Sequence, residues 1–135
     1  MSEQRLFTLD EANAALALVR PILERLREAA LRGREAQTEI ERVTADLPMS
    51  NGNRMALEAQ VGRLKRELEQ AVSLARDLMA EAESHGCEVK DPVTGLIDFR
   101  GLRDGEVVYL CWRLGEGDIA FWHRLDDGFR GRQPI

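Results

Sequence analysis

The sequence predicts an α+β fold: a long antiparallel, coiled-coil-like helical hairpin followed by a small antiparallel β-meander of three to four strands. Up to Gly86, apolar residues recur at an average spacing of about 3.5, the coiled-coil period. Beyond Gly86 the apolar period becomes two, as in strands, and six of the seven aromatic residues lie in these last 49 positions. We therefore expect residues 1–135 to form a single domain, with the hairpin over 8–86 and the meander and tail over 87–135.

The first helix is predicted to begin at Leu9, because Thr8 and Glu11 have the spacing of a capping box. In that motif the Thr8 hydroxyl accepts a hydrogen bond from the amide of Glu11, and the Glu11 carboxylate accepts one from the amide of Thr8. Pro21 conflicts with the helical pattern, since proline removes one helical hydrogen bond and its ring clashes with the preceding turn. We expect a kink or a short break there, with the helix resuming afterwards.

A second helix is predicted over residues 53–84, after a turn cluster at residues 47–53. Gly86 is suited to the left-handed conformation that ends many helices. Because a short turn makes two long helices antiparallel neighbours, facing positions should have numbers that sum to about 101. Gly33 then faces Leu68, and a close approach of the helices would explain a glycine inside the first helix.

Several apolar residues lie off the seam between the two helices, so another element must bury them. A second copy of the hairpin would supply it by forming a four-helix bundle, so we expect a homodimer. The alternative is that the C-terminal half packs on one end of the hairpin. The candidate interface residues are Leu18, Ile22, Leu31, Val43, Val72 and Met79.

The meander is predicted from alternating apolar residues separated by turn signals. The predicted strands are 87–90 at an edge, 96–99, 106–114 and 119–125, and Asp104-Gly105 is a tight turn. Taking Glu116-Gly117 as a two-residue turn makes paired residue numbers sum to 233. In that register His123 pairs with Leu110, on the apolar sheet face that should meet the helices. A histidine there is either a core residue or part of a site.

The tail, residues 126–135, has neither a strand nor a helix period. One interpretation is a strap across the sheet, held by Phe129 and Ile135. The other is a loop that closes a polar pocket beside His123. Trp112, Trp122 and Phe129 could also anchor a partner protein, provided that they are exposed.

Seven short segments indicate a family. They are FTLDEAN at residues 7–13, VKD at 89–91, GLIDF at 95–99, YLCW at 109–112, GE at 115–116, WH at 122–123 and GRQP at 131–134. In these segments the chain resembles the bacterial proteins grouped as domain of unknown function family 2203, over essentially its whole length. The resemblance implies a small stand-alone bacterial protein and supplies no catalytic residues.

Charge and cysteine usage exclude several functions. The net charge is −5, with 12 basic against 15 acidic side chains in residues 1–86 and 7 against 9 in 87–135. Neither half is basic, so we expect no nucleic-acid partner, and no segment is apolar enough for a membrane span. The start lacks a secretory signal, which favours the cytoplasm and free thiols at Cys87 and Cys111. Cys111 lies in an apolar run and is interpreted as a small buried hydrophobe.

Phosphate-loop, dinucleotide and paired-histidine metal motifs are missing from the sequence, so neither a cofactor nor a metal is assigned. We therefore predict a non-enzymatic dimeric interaction or ligand-binding module. The alternative is a small metal-dependent or acid/base enzyme with its site around His123, where a carboxylate beside a histidine could act as a general base. The ligand-binding candidates are Asp98, Glu116, His123, Asp127 and Arg132.

Overall fold

The computed structural model describes residues 5–45, Leu47 and residues 53–135. Two long helices, α1 (Leu9–Ala45) and α2 (Asn53–Glu83), pack side by side, and a five-stranded antiparallel sheet follows them. The turn predicted at residues 47–53 falls mostly outside the described residues. The predicted α+β fold is confirmed, with one strand more than expected. Among the described residues, the helices all lack the combination of length and apolarity that crossing a bilayer requires.

Helix α1 begins as its capping box predicts. The Thr8 amide donates to Glu11 Oε1 at 2.9 Å, and the Glu11 amide donates to Thr8 Oγ1 at 3.1 Å. The helix continues without a break through Pro21, which lies on its exposed side. Val19 and Leu23 on either side of Pro21 are buried in the core, and this burial offsets the hydrogen bond that proline removes.

The two helices approach each other at Gly33, as the pairing rule predicts. A Cβ atom built on Gly33 would lie 3.5 Å from Ala71 Cβ and 3.7 Å from Leu68 Cδ1. These are ordinary van der Waals distances, so the contact does not require a glycine.

Replacing Gly33 with alanine should therefore stabilise the protein by about 1 kcal/mol, because alanine has the higher helix propensity and its methyl group fits between the helices. Urea unfolding of the variant would measure the change. Gly62→Ala in α2, where the added Cβ would meet only the end of the Arg66 side chain at 3.7 Å, is the matched control and should gain a similar amount. A loss of stability in Gly33→Ala alone would show that the helices pack more closely than described.

The sheet has the strand order β1-β2-β3-β4-β5, and every strand is antiparallel to its neighbours. The strands are β1 (Glu88–Asp91), β2 (Leu96–Arg103), β3 (Glu106–Arg113), β4 (Phe121–Arg124) and β5 (Gln133–Pro134). Asp104 and Gly105, with φ of 52° and 79°, form the predicted two-residue turn between β2 and β3. Strand β5 lies in the tail, which has no strand period in its sequence.

The predicted pairing of β3 with β4 is wrong by one residue. His123 pairs with Tyr109 rather than with Leu110, and Trp122 pairs with Leu110. The cause is the connection, since seven residues (114–120) join the strands instead of a two-residue turn. A shift of one residue moves every side chain of a strand to the opposite face. Trp122 therefore points towards the helices, and His123 lies on the other face of the sheet.

One hydrophobic core joins the helices to the sheet. Leu16, Leu23 and Leu26 of α1 belong to the same buried cluster as Phe99 and Trp112 of the sheet. The face of the sheet that contributes to this core is called the inner face below. The opposite face, which carries Asp98, Tyr109, Cys111 and His123, is called the outer face.

Burial divides the candidate surface residues into two groups. Ile22 and Val43 are buried inside the protomer, so they cannot present a surface to a second copy; Ile22 belongs to the core shared with the sheet. Leu18 and Val72 are 59% and 46% exposed, Leu31 is half-buried, and Met79 packs against the core.

Trp112 and Trp122 are both buried, so they cannot anchor a partner protein.

Candidate functional site

Three adjacent strands bring Asp98, Cys111 and His123 together on the outer face. Asp98 of β2 is the register partner of Cys111 of β3, and His123 of β4 lies beside them, opposite Tyr109. Asp98 is 2%, Cys111 1% and His123 3% exposed. Buried polar groups of this kind require partners, because an unsatisfied one would cost free energy.

Both ring nitrogens of His123 are hydrogen bonded. Nδ1 lies 2.8 Å from the backbone oxygen of Arg124, and Nε2 lies 3.0 Å from Asp98 Oδ1. A carbonyl oxygen can only accept, so Nδ1 carries a proton and donates it. One further proton then lies between Nε2 and the carboxyl of Asp98 and is shared by the pair. This arrangement fixes the orientation of the imidazole ring.

Burial raises the pKa of Asp98 and of both cysteine thiols. It raises the pKa of Asp98, and the neighbouring His123 opposes part of that rise. Burial also raises the pKa of the Cys111 thiol to about 12, and the adjacent Asp98 carboxylate adds to the effect. The pKa of the second buried thiol, Cys87 on the inner side, is likewise raised to about 12 by burial.

Both thiols should consequently resist modification in the native protein near neutral pH. The reactive species is the thiolate, so we expect each cysteine to react at least about 100-fold more slowly than an ordinary exposed cysteine. Stopped-flow modification with a chromogenic disulfide reagent measures the rate, and the urea-unfolded protein, in which both thiols react readily, is the control. Rapid native labelling of either cysteine would contradict the burial described.

A cavity of about 190 Å³ opens over the Asp98–His123 pair, with room for about six water molecules. The tail covers it, as one of the two interpretations of residues 126–135 expected. Asp127 and Phe129 line it from that side, and Phe129 starts a short 3₁₀ turn (Phe129–Gly131). The full lining is Lys90, Leu96, Asp98, Tyr109, His123, Leu125, Asp127, Gly128 and Phe129.

Glu116 and Arg132 form an ion pair outside this cavity. Arg132 Nη1 and Nη2 donate to the two carboxylate oxygens of Glu116 at 3.0 and 2.6 Å. The Arg132 guanidinium also stacks between Phe121 and Phe129, 4.0 and 4.1 Å from the ring centroids. It holds the pKa of Glu116 below the usual range of a glutamate. The pair thus joins the tail to the β3–β4 connection, whereas Asp98, His123 and Asp127 line the cavity.

A polar network positions Tyr109 beside His123. The Tyr109 hydroxyl donates to Glu88 Oε1 at 2.9 Å and accepts from Arg100 Nη2 at 3.1 Å and from Lys90 Nζ at 3.4 Å. Its ring centroid is 5.3 Å from that of His123 in a tilted contact. The network fixes one wall of the cavity.

Cys111, Tyr109 and Lys90 were not predicted as site residues, although the structure places them around the Asp98–His123 pair. A signal for Cys111 was present, because the Asp104-Gly105 turn sets the register that places Cys111 opposite Asp98. Of the described residues, Asp98, Cys111 and His123 form the one group of three potential metal ligands, with their ligand atoms all within 4.8 Å of one another.

The comparisons with known proteins identify a family. The model of the family described as "Uncharacterized conserved protein (DUF2203)" matches residues 5–135, which include every residue of the outer face. The chain belongs to this family. The resemblance carried by the seven short segments is thereby confirmed, and the family description assigns no role to any of its residues. Neither the search of the curated proteins nor that of the solved structures found a match.

Proposed function

We propose that this member of the family is a non-enzymatic binding module that holds a small polar ligand in the cavity beneath its tail. The observation that supports the proposal is the buried Asp98–His123 pair lining a cavity of about 190 Å³. Buried polar groups that converge on a concave space are typical of ligand sites. The cavity is smaller than the roughly 300–1,000 Å³ of drug-sized sites, so the ligand has only a few heavy atoms.

The cavity walls favour a ligand that is polar at one end and apolar at the other. Lys90 supplies an ammonium group on one side, and Asp127 adds a carboxylate from the tail. Leu96 and Leu125 supply apolar surface to the same space. Such a mixture orients a small molecule, since a few polar contacts fix its direction and apolar walls exclude water.

Binding is favoured over acid/base catalysis by the state of the titratable groups. A general base must present a free lone pair to its substrate. His123 uses both ring nitrogens in hydrogen bonds within the protein, and the raised pKa of Cys111 keeps that thiol protonated near neutral pH. The arrangement therefore holds the imidazole ring in place and leaves neither His123 nor Cys111 as a free base at the cavity.

Filling the cavity tests this proposal. Leu96→Trp places a large ring in the cavity, and Leu102→Trp, at a 59% exposed position of the same strand, is the matched control. In amide NMR spectra, a screen of small carboxylic acids, amines and phosphates should shift signals of cavity residues in the wild type and in Leu102→Trp. Those shifts should be lost in Leu96→Trp. Absence of any binding in the wild type, or equal binding to both variants, would contradict the proposal.

We also propose that the protein associates with a second copy of itself through the helices. Leu18 and Val72 remain largely exposed, and a shallow groove of about 270 Å³ runs beside Val72 between the two helices. Small residues of both helices, including Gly33 and Ala71, line that groove. Sedimentation equilibrium should show a dimer that Val72→Glu weakens and Met55→Glu, at an exposed position nearer the start of α2, does not. A monomeric wild type would refute the dimer.

For cellular location we infer the cytoplasm. Cys87 and Cys111 are both free thiols, and both are buried on opposite sides of the sheet. Free thiols are typical of a reducing compartment. Fractionation of cells followed by antibody detection would test the inference, and recovery in a secreted or periplasmic fraction would overturn it.

A further inference from the structure

The outer face contains three metal-binding donor types held on adjacent strands. Asp98 on β2, Cys111 on β3 and His123 on β4 present a carboxylate oxygen, a sulfur and a ring nitrogen, all within 4.8 Å of one another. All three side chains are at least 97% buried. Because paired strands fix their spacing, the donors lie near one another before any ion arrives.

The orientation of His123 is that of a metal-ligating histidine. Such histidines usually donate the second ring N–H to a carboxylate or to a backbone carbonyl, which fixes the ring and its tautomer. Here Nδ1 donates to the Arg124 carbonyl at 2.8 Å, so Nε2 is directed towards Asp98 Oδ1, 3.0 Å away. A metal ion between these two atoms and Cys111 Sγ would replace the proton that the pair shares.

The donor set selects the class of metal. Thiolate and imidazole are unsuited to Mg²⁺ and Ca²⁺, which prefer oxygen ligands, whereas Zn²⁺ accepts sulfur, nitrogen and oxygen together. Tetrahedral Zn²⁺ bonds of about 2.0–2.3 Å place ligand atoms roughly 3.3–3.8 Å apart. The separations within the cluster reach up to 4.8 Å, so the side chains would converge by about 1 Å.

The surroundings provide an open coordination position and a balanced charge. Asp98 and His123 both line the cavity of about 190 Å³, so a fourth ligand could reach the ion from that side. A Cys111 thiolate and an Asp98 carboxylate together neutralise a divalent cation, and the Arg132 guanidinium lies close enough to interact with Cys111. In zinc sites with three protein ligands, the open fourth position holds water or a bound molecule, as in catalytic zinc sites.

We propose that Asp98, Cys111 and His123 bind one Zn²⁺-class divalent ion per chain, with its fourth coordination position facing the cavity beneath the tail. This inference rests on the proposed function and deepens it, since the ion would hold a small anionic ligand in that cavity. Binding forms one bond each from the metal to sulfur, nitrogen and oxygen. Two protons leave, one from the Cys111 thiol and one from between Asp98 and His123, while the Nδ1 proton stays on His123.

Cobalt titration of the purified, metal-free chain tests this site. We expect one equivalent of Co²⁺ to produce a thiolate-to-cobalt band in the near ultraviolet and intense tetrahedral bands in the visible, all removed by Zn²⁺. A pH indicator in weak buffer should report two protons released per ion. Cys111→Ser should abolish the thiolate band and weaken Co²⁺ binding by more than about 100-fold, whereas the buried control Cys87→Ser should retain both.

Absence of a thiolate band in the wild type, or an unchanged band in Cys111→Ser, overturns the metal site. X-ray absorption of the wild-type zinc complex needs no variant and covers the case in which Cys111→Ser fails to fold. One sulfur with nitrogen and oxygen neighbours supports the site, and a shell without sulfur overturns it. Failure of the metal site leaves the binding module to its own test, because the Leu96→Trp comparison is made on metal-free protein.

Discussion

Replacing Gly86 with alanine should destabilise the protein by about 3 kcal/mol or more. Gly86 has a φ of 102°, a conformation that costs a residue with a side chain about 1–2 kcal/mol. An added Cβ would also overlap the ring of Phe7, with Cε1 only 2.7 Å away. Phe7 cannot move aside easily, because it is buried against Phe99 in an edge-on contact at 5.0 Å.

A matched control separates the backbone strain from the overlap. Gly105 has a φ of 79°, and a Cβ added there would meet nothing within 4 Å. Gly105→Ala should therefore cost only the conformational part, about 1–2 kcal/mol. Urea unfolding of both variants measures the difference. Equal costs at the two positions would mean that Phe7 does not pack beneath Gly86.

Replacing Asp98 with leucine should cost about 3–5 kcal/mol in metal-free protein, because it leaves the buried His123 ring without its partner. The double variant Asp98→Leu/His123→Leu should recover part of this loss, since both members of the buried pair are then apolar. A double-mutant cycle by urea unfolding at neutral pH gives the coupling between the two residues.

An exposed ion pair provides the comparison. Glu39 and Arg42 pair at 2.7 Å on the surface of α1, and Glu39→Leu should leave the unfolding midpoint nearly unchanged. A loss of unfolding free energy in Asp98→Leu no larger than that in Glu39→Leu would contradict the buried Asp98–His123 pair. A loss in the double variant equal to the sum of the two single losses would contradict it as well.

The helical hairpin could be predicted because its determinants are local. The capping box of Thr8 and Glu11 marks the start of α1, and the apolar spacing identifies the faces that pack. Asp104 and Gly105 likewise predict their own turn, since a two-residue hairpin turn of this kind requires positive φ at both positions and Asp-Gly tolerates it. Both residues have positive φ in the structure. That turn sets the β2–β3 register and places Asp98 opposite Cys111.

The position of His123 could not be predicted because long-range contacts determine the connection before β4. Arg20 Nη2 of α1 donates to the Gly117 oxygen at 3.3 Å, and the Ile119 amide donates to Asn13 Oδ1 of α1 at 2.8 Å. These bonds hold residues 114–120 as a longer loop against the helix, although Gly115–Asp118 has the composition of a tight turn. Nothing local in the sequence signals a partner 106 residues away.

The pairing of the tail with β4 could not be predicted from the local sequence either. Strand β5 pairs with Phe121 and Trp122 although its residues, Gln133 and Pro134, have low strand propensity. Arg132, which directly precedes β5, stacks its guanidinium on Phe121 and binds Glu116, and so ties the tail to the sheet. The sequence candidates include three residues of the cavity lining, Asp98, His123 and Asp127, whereas the position of Glu116 and Arg132 outside the cavity required the structure.

Nitrogen-15 NMR of histidine-labelled, metal-free protein shows whether His123 lies on the outer face with Nδ1 protonated, and His85→Gln assigns the signals. We expect a protonated Nδ1 on His123 in slow exchange with water, and ring contacts to Tyr109 and Cys111 across the outer face. An unprotonated Nδ1, together with ring contacts to Leu110 and Trp112, would place His123 on the inner face and contradict the site.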